Sequence, residues 1–277
     1  MRNSPAAALG LSLTLLVVCS ALSVKTKAQT SATESGRKPV VVELFTSEGC
    51  SSCPPADALL QELEGQQPVA GAEIIALEEH VDYWNHDGWV DPYSSPEWTE
   101  RQQAYVALFK NDAYTPELVV DGQRQFVGND AREAKLEIEK AARGVKTEVA
   151  ITPGKRDAKG SQRFGVSVGK LAGNAVGDTA EVWLAVTEDG LHSSVSRGEN
   201  AGHVLHHIAT LRSLHRVGVA NAGGASVSFT GDALVNFDSH WNLENLHVTV
   251  FVQGKRSRGN SRCGFDQNQG LEKKYPC

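Results

Sequence analysis

The chain has 277 residues, of which 40% are hydrophobic, 22% charged and 6% aromatic. That mixture excludes a disordered chain, which lacks the apolar residues to build a core, and a polytopic membrane protein. A formal net charge of −6 leaves no electrostatic means of holding a nucleic-acid backbone, so no nucleic-acid partner is expected.

At the N-terminus, Arg2 precedes a nearly unbroken apolar run from Ala6 to Leu22, and the small residues of Thr26-Lys27-Ala28 suit cleavage before Gln29. Residues 1–28 are therefore expected to be a signal peptide that sends the protein to a secreted or periplasmic location, with no membrane association apart from export. An uncleaved anchor is the alternative, because the run approaches spanning length. Cys19 follows Val18, where a lipoprotein cysteine needs a small residue. Loss of residues 1–28 would remove Arg2, Lys25 and Lys27 and no anion, taking the net charge from −6 to −9.

Four cysteines then remain: Cys50, Cys53, Cys263 and Cys277. An even number in an exported chain suggests two disulfides, paired locally as Cys50 with Cys53 and Cys263 with Cys277. The second would close a loop of about 15 residues and stabilise the fold by about 3 kcal/mol as a structural staple.

After a linker (29–38), Val40 to Phe45 is a β-rich apolar run suited to a buried strand. Pro54 and Pro55 open a helix with Ala56, Leu59, Leu60 and Leu63 along one stripe. Glu73 to Leu77 is the next strand, followed by a long segment, His80 to Pro96. Ser94 and Glu97 read as a capping box for a second helix. Leu118 to Val120 and Gln125 to Val127 flank Asp121-Gly122, a hairpin signal, and Asp130 with Glu133 starts a third helix that stops at Gly144. The resulting order is β-α-β-α-β-β-α.

From about Lys146 the pattern changes to alternating strands divided by Gly, Asn and Asp turns: Thr147 to Ile151, Arg163 to Val168, Ala180 to Thr187, Ala225 to Thr230 and Leu246 to Val252. His203 to His215 fits strand and helix periodicity equally. The tail from Lys255 is polar and basic. The expected fold is thus an α/β domain (39–145) followed by an all-β sandwich-like domain (146–254) and a disulfide-stapled tail (255–277).

Gly49-Cys50-Ser51-Ser52-Cys53-Pro54 lies between a predicted strand and a predicted helix. A thiol at a helix N-terminus meets unpaired N–H groups that stabilise its thiolate. Two intervening residues let the second sulfur resolve a mixed disulfide formed at the first. Cys50 is therefore the expected exposed nucleophile and Cys53 the buried resolving thiol. Glu43, on the preceding strand, is a candidate proton relay if it lies beneath the pair, where burial would raise its pKa; pairing with a cation is the other reading.

Element order and CxxC placement resemble thioredoxin-like proteins, and the resemblance implies that Thr115-Pro116 is a cis-proline site that positions an extended substrate. The motifs Val41 to Asp57, His80-Val-Asp-Tyr-Trp84, Gly88-Trp89, Asp91-Pro92, Tyr114-Thr-Pro116, Val119-Val-Asp-Gly122 and Arg197-Gly-Glu-Asn200 are similar to those of an exported thioredoxin-like family catalogued as domain of unknown function 1223 (DUF1223). That resemblance implies a fold and no substrate.

His80, Asp82, His86 and Asp87 match no standard zinc spacing and read as a loop beside the CxxC. His203, His206, His207 and His215 read as a polar, titratable surface. Neither a metal nor a cofactor is expected. Arg197 and Glu199 are candidates for stabilising the junction between the halves. There is no Gly-x-Ser-x-Gly elbow and no Walker loop. The functional expectation is thiol–disulfide exchange with a protein or small-molecule thiol partner, in either direction. A binding or scaffold protein with structural disulfides is the alternative, and metal delivery through Cys50, Cys53 and a nearby histidine ranks third.

Overall fold

The computed structural model describes residues 36–171, 179–221 and 227–254, together with Met1. The expected signal peptide, most of the expected linker and the expected Cys263–Cys277 pairing lie outside the described residues.

The front of the chain runs β1 (Lys38–Thr46), α1 (Pro54–Gln66), β2 (Ala72–His80), a 3-10 turn (Tyr83–His86), α2 (Pro96–Phe109), β3 (Glu117–Val120), β4 (Arg124–Val127) and α3 (Ala131–Ala142). From Val40 to Phe45, strand β1 is apolar except for Glu43, because both of its faces are covered. Val40, Val42 and Leu44 pack against Leu59, Leu60 and Leu63 of α1 and Ile138 of α3, whereas Val41 packs with Leu77 and Trp98 and Phe45 with Tyr105. This period-2 division sets which side chains face α1 and which face α2. Asp121 and Gly122 both take positive φ, as a tight β3–β4 hairpin turn requires. The cap of α2 is Ser95, whose Oγ accepts from Glu97 N at 3.1 Å, and not Ser94. Pro96 occupies the first turn, so the capping role falls to the residue immediately before it.

The back of the chain adds β5 (Val149–Arg156), β6 (Ser161–Gly169), β7 (Thr179–Glu188), β8 (Leu191–Ser194), β9 (Val204–His207), β10 (Thr210–Asn221), β11 (Val227–Asn236) and β12 (Leu246–Gly254). The segment that fitted two periodicities is strand, forming β9 and the start of β10.

The expected fold class requires correction. The front strands do not form the sheet of a self-contained α/β thioredoxin-like domain, nor do the back strands form an independent all-β sandwich. One mixed seven-stranded sheet runs through both, in the order β12-β7-β10-β2-β1-β3-β4. The junction is parallel pairing of β10 with β2, registered at Thr210 against Glu78, with Glu78 N donating to Ala209 O at 2.9 Å. Strand β2 would otherwise be an exposed edge with unpaired N–H and C=O groups, and β10 covers it. A second sheet, β11-β6-β5, packs its apolar face (Ile151, Val166, Val235) against Val182, Leu184 and Val250 of the large sheet. Alternation and turn signals locate β5, β6, β7, β12 and part of β11 but miss β8. They carry no information about which distant strand becomes the neighbour.

Candidate functional site

Thr46 ends β1, and Ser47-Glu48-Gly49 carries the chain to Cys50 and Cys53, which form a disulfide. Cys53 caps α1, with Pro54 and Pro55 in the first turn, so the sulfurs lie at the positive end of the helix. Both cysteines are 0% exposed, in contrast to the expectation that Cys50 faces solvent. Ser51 and Ser52 between them are exposed.

Two segments enclose the pair. Trp84 lies against Gly49, where an added Cβ would sit 3.1 Å from its Cβ, and the Trp84 indole donates to Thr115 Oγ1 at 2.7 Å. The Thr115–Pro116 peptide is cis. Gly128 fits between Leu44, Pro116 and Ala56, all within 3.1 Å of where its Cβ would be. Thr115-Pro116 and the first turn of α1 are therefore close neighbours. From the other side, the β8–β9 loop supplies Asn200, whose Nδ2 donates to the carbonyls of Glu48 (2.9 Å) and Cys50 (3.0 Å). Glu199 Oε2 accepts from Ser51 N at 3.1 Å, and the Ser51 hydroxyl first, with this N–H second, holds the exposed Glu199 carboxylate below its usual pKa.

Glu43 and the cysteines are not brought together by hydrogen bonding. As an odd-numbered residue of β1 it faces α2, where its carboxylate meets Arg101 at 2.5 Å and accepts from Tyr105 Oη at 2.5 Å. Glu79 shares that arginine at 3.4 Å, and burial pushes the Glu79 carboxyl well up. The acid on the cysteine side is Asp57, one helical turn after Cys53, buried and accepting from Thr46 Oγ1 at 2.6 Å. Burial first, and then the charge of Glu78, push its carboxyl up to about 7. The signal that could have found it is an acid within the stripe Ala56, Leu59, Leu60 and Leu63.

Beyond Asp57 lies a buried polar cluster. His80 Nδ1 meets Asp91 Oδ2 at 2.7 Å, and His207 Nε2 meets Glu48 Oε1 at 3.0 Å. The other nitrogens of both rings face Glu78, each at 3.3 Å. One ligand atom from each of Glu78, His80 and His207 lies within 4.8 Å of the others, so these three could hold a metal. Desolvation alone would lower both histidines, but Asp91 holds His80 well above its ordinary pKa, and Glu78 holds His207 at about 9. His207 is thus core, whereas His206 is exposed, as alternation along β9 dictates, and His203, which precedes the strand, is exposed as well. His86 and Asp87 are also exposed.

A mixed sheet flanked by helices, with an enclosed Cys-x-x-Cys disulfide at a strand-to-helix junction, defines the class of this protein. Two solved structures share the fold. A crystal structure of an Agrobacterium tumefaciens protein is 24% identical, with a TM-score of 0.64, covering 86% of this chain and 99% of that one. HBP35 of Porphyromonas gingivalis is 16% identical, with a TM-score of 0.56, covering 83% and 74%. The family model described as "Protein of unknown function (DUF1223)" matches residues 41–253, and the chain belongs to that family. A search of curated proteins finds no match.

Proposed function

We propose that the protein is an exported thiol–disulfide oxidoreductase working through Cys50 and Cys53 on a protein or small-molecule thiol or disulfide. The observation that carries the reading is the enclosed Cys50–Cys53 disulfide at the start of α1, with a buried acid, Asp57, one turn below it. In the reducing direction, the Cys50 thiolate attacks a partner disulfide and releases one partner thiolate. Cys53 then loses its proton and attacks Cys50, and the partner leaves as a dithiol while the pair becomes oxidised. Oxidation of a partner dithiol is the same sequence reversed. Asp57, with its carboxyl near 7, is suited to accept the Cys53 proton and return it. Thr115-Pro116 is proposed to position the partner beside Cys50. Access requires the Glu199-Asn200 loop or Trp84 to move aside, because both sulfurs are covered.

That covering favours a second reading, a binding protein with a structural disulfide. The reduction potential of the pair separates the two. A value between about −270 and −120 mV is expected for an exchange catalyst, and a value below about −300 mV would support the structural role. In the same experiment series, Cys53→Ser should accumulate mixed disulfides through Cys50, and an absence of adducts in the reduced variant would count against exchange.

A further inference from the structure

The strongest unexplained feature is the buried cluster of Glu78, His80 and His207, which the exchange chemistry does not use. Glu78 and His80 come from one face of β2, and His207 comes from the end of β9, 129 residues further along. All three are nearly or completely buried. Among the described residues, the ion pairs of Glu48, Glu78 and Asp91 are made with His80 and His207 only. The fold has therefore gathered three carboxylates and two imidazoles without a lysine or arginine among their partners.

The geometry of the two histidines is the same in kind. Each gives one ring nitrogen to an outer carboxylate, His80 to Asp91 at 2.7 Å and His207 to Glu48 at 3.0 Å. Each turns the other nitrogen toward Glu78 at 3.3 Å. That inner separation is long for a charge-assisted hydrogen bond, which prefers about 2.7–2.9 Å. The two distances run to different oxygens of Glu78, and one ligand atom from each of the three residues lies within 4.8 Å of the others, so a single ion could draw all three onto itself with small side-chain shifts. His80 Nε2 supplies an independent sign: it is fully buried, has no hydrogen-bond partner and points into the cluster. Metal-binding histidines commonly donate their outer N–H to a carboxylate that fixes the ring, and here both histidines have such a carboxylate. Those outer carboxylates are held in turn, Glu48 by the Trp89 indole at 2.7 Å and Asp91 by Glu48 N at 2.8 Å.

We propose that Glu78, His80 and His207 form a binding site for a divalent transition-metal ion of the zinc type, with Asp91 and Glu48 orienting the two histidines. Two imidazoles and one carboxylate suit zinc and leave a fourth position outside the protein ligand set. The ion would tie β2 to the β8–β9 excursion that carries Glu199 and Asn200 over the cysteines. Because the site is enclosed, the ion is acquired as the chain folds and leaves slowly.

The test uses the oxidised full chain, refolded with a small excess of zinc chloride and desalted, with zinc measured by mass spectrometry and the metal environment by X-ray absorption. One zinc per chain, a first shell of nitrogen and oxygen without sulfur, and loss of that zinc in a folded His207→Gln variant are the expected results. A folded wild-type chain that retains no zinc would overturn the proposal and leave a proton-holding network in its place. Sulfur in the first shell, or full retention of zinc by His207→Gln, would also overturn it. Should that variant fail to fold, the stoichiometry and absorption spectrum of the wild-type chain decide the matter alone. None of these outcomes bears on the potential of Cys50–Cys53, so the two readings stand or fall separately.

Discussion

Asp57 and Glu43 are two buried acids near the start of the same fold, and their surroundings give them opposite roles. Glu43 is neutralised by Arg101, while the Asp57 carboxyl meets a neutral Thr46 hydroxyl and the field of Glu78. With a folded pKa near 7 and an unfolded value near 3.8, Asp57 holds a proton in the folded state that the unfolded chain releases between those pH values. Stability therefore falls as pH rises through that window and stays lower above it, by an amount on the order of a few kcal/mol. The neutral isostere Asp57→Asn keeps an acceptor for Thr46 and removes that pH-dependent loss. Its denaturation midpoint should exceed that of the wild type at pH 8, with the gap closing toward pH 4. A gap independent of pH would mean that Asp57 titrates normally. The same variant should slow thiol–disulfide exchange by about 10²-fold, the usual lower scale of a lost proton-transfer group, as read from the rate at which the pair oxidises a model dithiol.

At the scale of elements, β1, α1 and the hairpin β3–β4 meet at Gly128. A Cβ there would lie 2.8 Å from Leu44 Cδ1, 3.0 Å from Pro116 Cβ and 3.1 Å from Ala56 Cβ. These atoms belong to a packed strand, the proline before β3 and the first turn of α1, so none can give way cheaply. Gly128→Ala should therefore destabilise the protein by about 1–3 kcal/mol, the range for overpacking, as measured by urea denaturation; a change below about 0.5 kcal/mol would show that the three elements adjust freely. The elements themselves were legible in the sequence because their signals are local. Pro54-Pro55 and an apolar stripe specify α1, Asp121-Gly122 specifies the hairpin, and Asp130 accepts from Glu133 N at 2.9 Å as the α3 cap. The face of each strand was harder to read. In a run buried on both sides, such as β1, hydrophobicity does not tell odd from even positions, and so the relay acid was sought at Glu43, which faces α2, whereas the buried acid in the first turn of the cysteine-capped helix is Asp57.

For the whole molecule, the decisive contact is β10 against β2. A chain ending near residue 145 would leave β2 as an unpaired edge. It would also strip Glu78 of Thr210, whose Oγ1 donates to it at 2.9 Å, and of His207. Unpaired strand edges and buried unpaired charges both favour aggregation or unfolding. Residues 36–145 alone should accordingly elute as aggregates or show no cooperative thermal transition by circular dichroism, whereas 36–254 should melt cooperatively. A stable, monomeric 36–145 fragment would show that the front half carries its own stability.

Taken by itself, the sequence determined the three helices and nine of the twelve strands among the described residues, missing β8 and leaving β9 and β10 open, and it located Cys50 and Cys53 at a strand-to-helix junction. It could do so because propensity, periodicity and capping act over a few residues along the chain. Only the tertiary structure decided that both halves share one sheet, that Asn200 and Glu199 close over the CxxC, and that Glu78, His80 and His207 meet in one buried cluster. Those outcomes depend on which surfaces pack together across more than a hundred residues, a competition among long-range pairings that local signals leave open.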